Sequence, residues 1–79
     1  MILNSAEFKN KVNYLKEYAG SLVKRGARMT ETETQDMKTY AITLFSGAHI
    51  TIAINASIIV VSSWNSEINA GNKQIYIKS

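Results

Sequence analysis

The stretch His49–Trp64, HITIAINASIIVVSSW, constrains the fold more than any other part of this chain. In HITIAIN the residues Ile50, Ile52 and Ile54 recur at every second position, which is the period of a strand with one buried face. IIVV then sets Ile58, Ile59, Val60 and Val61 in succession, so a strand there presents large apolar side chains on both faces. The second face of such a strand calls for cover, either from the chain itself or from a partner.

An α-helix is predicted upstream of these strands. Asn4 followed by Glu7 has the spacing of a capping box, in which the Asn side chain accepts from the first turn and the Glu reaches back. From there Phe8, Val12, Leu15, Ala19, Leu22 and Val23 keep a spacing of three to four, which lays them on one stripe of a helix about five turns long. Gly26, after Lys24 and Arg25, is a suitable stop, because glycine adopts the left-handed conformation readily and cations suit a helix carboxyl end. Gly20 costs about 1 kcal/mol relative to alanine inside a helix, and close packing against a strand would account for it.

Beyond Gly26 the pattern changes to period two. TETETQD alternates threonine with acid and reads as an exposed edge strand, whose charges discourage strand addition, or else as a solvated connection. KTYAITLF and HITIAIN are the clearest strands. A three-residue loop at Gly47–His49 would set Leu44 opposite Ile52 and Ile42 opposite Ile54, giving one apolar face. A turn at Asn55 and Ala56 would set Ile52 opposite Ile59 and Ile50 opposite Val61 on that same face. NSEINAGNK is predicted as a loop or an irregular hairpin with Gly71 and Asn72 at its turn, and QIYIK as a last strand whose Ile75 and Ile77 can join the core.

The expected architecture is therefore two-layer α+β, a single domain spanning 1–79. One N-terminal amphipathic helix packs on an antiparallel sheet of four strands, or of five if TETETQD forms one. A chain of 79 residues buries only roughly 60% of its unfolded surface, so its stability margin is thin. Without cysteine it has neither a disulfide nor a thiolate site, and the core, alone or with a homodimer interface, must hold the fold. That suits a reducing compartment. MILNSAEFKNK lacks a charged leader followed by an apolar run of about 7–15 residues. The longest uninterrupted apolar run, IIVV, falls far short of the about 20 residues of a membrane helix. A soluble, cytoplasmic protein is the expectation.

One helix covers one sheet face. The registers above leave Ala41, Thr43, Phe45, Thr51, Ala53, Ile58, Val60, Trp64 and Tyr76 on the other, and Phe45, Trp64 and Tyr76 are the residue types that anchor interfaces. On the helix flank Tyr14 and Tyr18 lie one turn apart. These five aromatics are the candidate protein-binding residues, for a separate protein or for a second copy. The alternative is nucleic-acid binding through the basic helix face, using Lys9, Lys16, Lys24, Arg25 and Arg28. The modest formal net charge of +3 and the lack of a recognised nucleic-acid-binding motif weigh against it.

Catalytic chemistry finds little support. The chain has one His, one Asp and five Glu, and no Ser–His–acid constellation can be placed around His49, which sits beside a turn. His49 has no second His or Cys with which to share a metal. Glu31 and Glu33 can share one strand face, but two carboxylates alone make a weak calcium site. The glycines are scattered and form no phosphate loop. These residues lead to the expectation of a non-enzymatic interaction protein without catalytic residues, cofactor or metal. It would be an inhibitor or adaptor that occludes a protein surface, as viral and mobile-element inhibitors of host defence enzymes do.

Overall fold

The computed structural model describes residues 1–79. The elements run β1 (Ile2–Leu3), α1 (Ser5–Lys24), β2 (Arg28–Thr34), β3 (Met37–Thr43), β4 (Ala48–Ile54), β5 (Ile58–Asn65) and β6 (Ala70–Lys78). They form one six-stranded sheet in the order β1-β6-β5-β4-β3-β2, with α1 on one face. The α+β class and the N-terminal helix agree with the sequence. The strand number and the all-antiparallel sheet do not.

The helix begins and ends where its capping residues say. Asn4 Oδ1 accepts from Glu7 N–H at 2.9 Å and Glu7 Oε1 accepts from Asn4 N–H at 3.0 Å, so both halves of the capping box are present. At the far end Gly26 has φ +99, Gly26 N–H donates to Val23 O and Ala27 N–H donates to Leu22 O. This pair of bonds is a Schellman closure, and it turns the chain directly into β2. Phe8, Leu15, Ala19 and Leu22 are buried, whereas Val23 falls off the predicted stripe and is exposed. Gly20 differs from expectation too, since beyond its chain neighbours and its own helix backbone no atom lies within 4 Å of where its Cβ would stand.

The registers of the central strands depart from prediction by even steps. Ile42 pairs with Ile50 and Tyr40 with Ile52 across β3 and β4. The loop has three residues, as predicted, but it is Phe45–Gly47, closed by Leu44 N–H donating to Ala48 O at 2.9 Å. The cause lies in glycine. A three-residue hairpin loop wants its left-handed residue last, and Gly47, at φ +82, supplies it. Across β4 and β5, Ile52 pairs with Val61 and Ile54 with Ile59. Asn55 sets that turn by accepting from Ser57 and Ile58 N–H, both at 2.8 Å. An even slip preserves the face of every side chain, so Ile42, Ile52 and Ile59 are almost fully buried beneath the helix as intended.

TETET forms an edge strand, β2, with Glu31 opposite Tyr40 and Glu33 opposite Lys38 on the helix side. At the other edge β1 pairs parallel with β6, Ile2 against Ile77 and Leu3 against Lys78. A strand of two residues is too short to show a period, which is why the pattern concealed it.

The largest correction concerns β6. Its hairpin turns at Ser66–Asn69, with Asn69 at φ 50 and Asn65 Oδ1 accepting from Glu67 N–H. Gly71 and Asn72, the predicted turn, lie inside the strand. Pairing then sets Tyr76 opposite Ile59 on the helix side, and Ile75 and Ile77 opposite Val60 and Ile58 on the other. Ile75 and Ile77 are therefore not core residues, and Tyr76 takes the place assigned to them.

Candidate functional site

The face of the sheet away from α1 has no layer over it. Four cross-strand rows compose it, with the Met37–Thr34 pair beyond them at the β2-β3 hairpin. The first runs Gly71, Trp64, His49, Thr43 and Arg28; the second Lys73, Ser62, Thr51, Ala41 and Thr30. The third runs Ile75, Val60, Ala53, Thr39 and Thr32, and the fourth joins Ile2, Ile77 and Ile58. Apolar character thus concentrates at the β1-β6-β5 corner, where Ile2, Ile75 and Ile77 are 72%, 40% and 45% exposed. Threonine fills the β2-β3 side, where β-branched side chains suit a pleated surface open to water.

Charge is distributed as unevenly as hydrophobicity. Arg28, Lys73 and His49 are the ionisable groups of this face, and none of the acids points there. Glu31 and Glu33 lie on the helix side of β2, Glu7 and Glu17 on α1, and Asp36 and Glu67 in turns. Trp64 and His49, paired across β5 and β4, stack with ring centroids 6.3 Å apart. His49 Nδ1 is also 3.4 Å from Thr43 Oγ1. The absence of a side chain at Gly71 accommodates the indole, because a Cβ there would stand 3.0 Å from Trp64 Cδ1.

The five predicted aromatics do not share one surface. Trp64 alone lies on the open face. Phe45 stands at the tip of the β3-β4 loop, 89% exposed, with its ring edge over Gly26 at the end of α1. Tyr14, Tyr18 and Tyr76 form a separate cluster along the helix flank. Tyr14 and Tyr18 stack at 6.4 Å between centroids, and Lys11 Nζ lies 4.6 Å from the Tyr76 ring and 5.6 Å from that of Tyr14. Tyr76 Oη donates to Gln74 Oε1 at 2.9 Å.

The predicted basic cluster separates as well. Lys9, Lys16 and Lys24 are exposed on α1 and Arg25 is exposed at its C-cap, while Arg28 opens β2 on the far side of the sheet. Lys38 is raised above the ordinary lysine value, chiefly by Tyr40 and then by Glu31, whose carboxylate is 3.7 Å away. No group of three or more His, Cys, Asp or Glu side chains is placed to hold a metal ion. No helix is long and apolar enough to cross a membrane.

Sequence reasoning overlooked Ile2, Ile75 and Ile77 as surface residues. Only the phase of β6 could have exposed them, and that phase is fixed by its pairing along β5. No family model, curated protein or solved structure matches this chain.

Proposed function

We propose that this protein is a non-enzymatic binding module, an inhibitor or adaptor that lays its open sheet face over an apolar, acid-rimmed surface of a partner protein. The observation that carries the reading is the aliphatic corner of Ile2, Ile58, Val60, Ile75 and Ile77 on a face whose ionisable groups are all basic. Aliphatic side chains gain by excluding water from a complementary apolar patch, at about 25 cal/mol per Å². The aliphatic corner offers no stacking platform to nucleic-acid bases, and the one Trp of this face, Trp64, is already stacked on His49. A second copy is a poor occupant, because it would bring the same basic groups, with no carboxylate, against Arg28 and Lys73.

Protein capture from lysate with wild type and with the triple variant Val60→Thr, Ile75→Thr, Ile77→Thr tests this. Threonine keeps the strand propensity while removing the apolar face. The expected result is a stoichiometric protein partner lost with the variant, whose circular dichroism is unchanged. Identical capture by both proteins, a partner removed by nuclease, or a wild-type dimer by light scattering overturns the reading.

A further inference from the structure

The outer edge of β6 is only partly occupied. Ile77 N–H donates to Met1 O at 2.8 Å, Ser79 N–H to Leu3 O at 2.9 Å, and the Met1 amine to Ile75 O at 3.1 Å. Lys78 N–H donates the opposite way, to Ser57 O at 2.8 Å. Odd-numbered residues of β6 therefore direct their backbone groups outward, and even-numbered ones direct theirs toward β5. The pairing of β5 with β6 runs without a bulge from Ile58–Ile77 to Asn65–Ala70, so the alternation holds along the whole strand. It leaves the N–H of Ile75 and the N–H and C=O of Lys73 and Gly71 directed outward beyond the end of β1.

This stretch runs beside the flank of α1. Tyr18 shares a hollow of about 190 Å³ with Asn72 and Gln74, and Tyr14, Lys11 and Tyr76 line a neighbouring one of about 560 Å³ with Met1. A free strand edge beside an aromatic helix flank is the arrangement by which extended peptides are bound through added strands. Main-chain hydrogen bonds give the affinity, and hollows for alternate side chains give the selectivity. Lys73 projects from the strand on the open-face side, and on the helix side Lys11 and the Met1 ammonium line the larger hollow with a single acid, Glu7, so cations outnumber carboxylates along this edge.

We infer that β6 takes an extended acidic peptide segment of a partner protein as an added strand along Gly71–Ile75. Its alternate side chains lie against Tyr14 and Tyr18. The side chains of Lys73 and Ile75 belong to the open face, whereas this site uses the outward backbone groups of Gly71–Ile75 and the helix flank. The opposite edge is a poorer receptor for such a segment, because β2 presents Glu31 and Glu33 on its helix side.

The test is an NMR titration of the whole protein with the synthetic peptide acetyl-Val-Glu-Val-Glu-Val-Glu-Val-amide, with the lysine analogue as the charge control. The expected result is shifts at the Gly71, Lys73 and Ile75 amides with slowed hydrogen exchange there, and clearly weaker binding of the lysine peptide. Lys73→Pro removes one outward N–H without touching the β5 ladder, a place where edge strands accept proline. Its expected effect is at least about a tenfold loss of affinity, from the missing bond and the ring in the slot. Lys73→Glu keeps the backbone and isolates the charge, and is expected to weaken the acidic peptide while favouring the lysine one. Shifts confined to the Val60–Ile77 face, equal binding by Lys73→Pro, or no binding by folded wild type overturns the inference. So does concentration-dependent self-association abolished by Lys73→Pro, which would make the acidic β2 of a second copy the occupant.

Discussion

Gly71 faces Trp64 directly across β5 and β6, and the indole lies where a Gly71 side chain would be. The pair explains a glycine inside a strand, which otherwise weakens it. Gly71→Val is expected to displace the ring, breaking its stack on His49. Because the chain has a single Trp, the displacement reads directly as a red shift of tryptophan emission together with chemical-shift changes at His49.

The two faces of the sheet make opposite demands on isoleucine. Ile52 and Ile59 are completely buried, and truncating either to alanine is expected to cost about 2–5 kcal/mol by urea denaturation. Ile77→Ala, on the open face, is expected to cost less than about 1 kcal/mol, because much of its surface already meets water. Comparable losses at Ile77 and Ile59 would show that β6 is out of phase with the register described.

Asn4 is the single residue whose side chain starts the helix. Asn4→Ala is expected to lower unfolding free energy by about 1 kcal/mol. Loss of the Glu7 partner alone should cost less, since the Asn4 side chain still accepts from the first turn. Thermal melts of the two single variants and the double variant measure both effects and their coupling.

Gly20 packs against nothing. Gly20→Ala is therefore expected to raise stability by about 1 kcal/mol through helix propensity, with the fold unchanged. A loss of stability would mean that the position does meet another surface in solution.

Most of the local structure was legible in the residues. The Asn4 and Glu7 pair, the glycine after Arg25 and the acid–threonine alternation of β2 each act within a few positions, and each element stands where its signal puts it. The inner face of β3, β4 and β5 was legible for a related reason. Side-chain period in a strand is two, so registers wrong by an even step still buried Ile42, Ile52 and Ile59.

What the chain alone did not decide was the phase of its last strand. Gly71 and Asn72 read as the turn, but the chain turns at Ser66–Asn69, and pairing along the whole of β5 set β6 in the phase opposite to the one expected. That phase exchanged Tyr76 for Ile75 and Ile77, moved Tyr76 to the helix flank and created the aliphatic corner, while the register of β3 and β4 put Phe45 in their loop. β1 is likewise tertiary in origin, because Ile2 and Leu3 become a strand only by meeting an edge that the other end of the chain supplies. Sequence determined the elements and the buried face through short-range periodicity and capping. The composition of the exposed surfaces followed from long-range hydrogen-bond pairing, which no local pattern encodes.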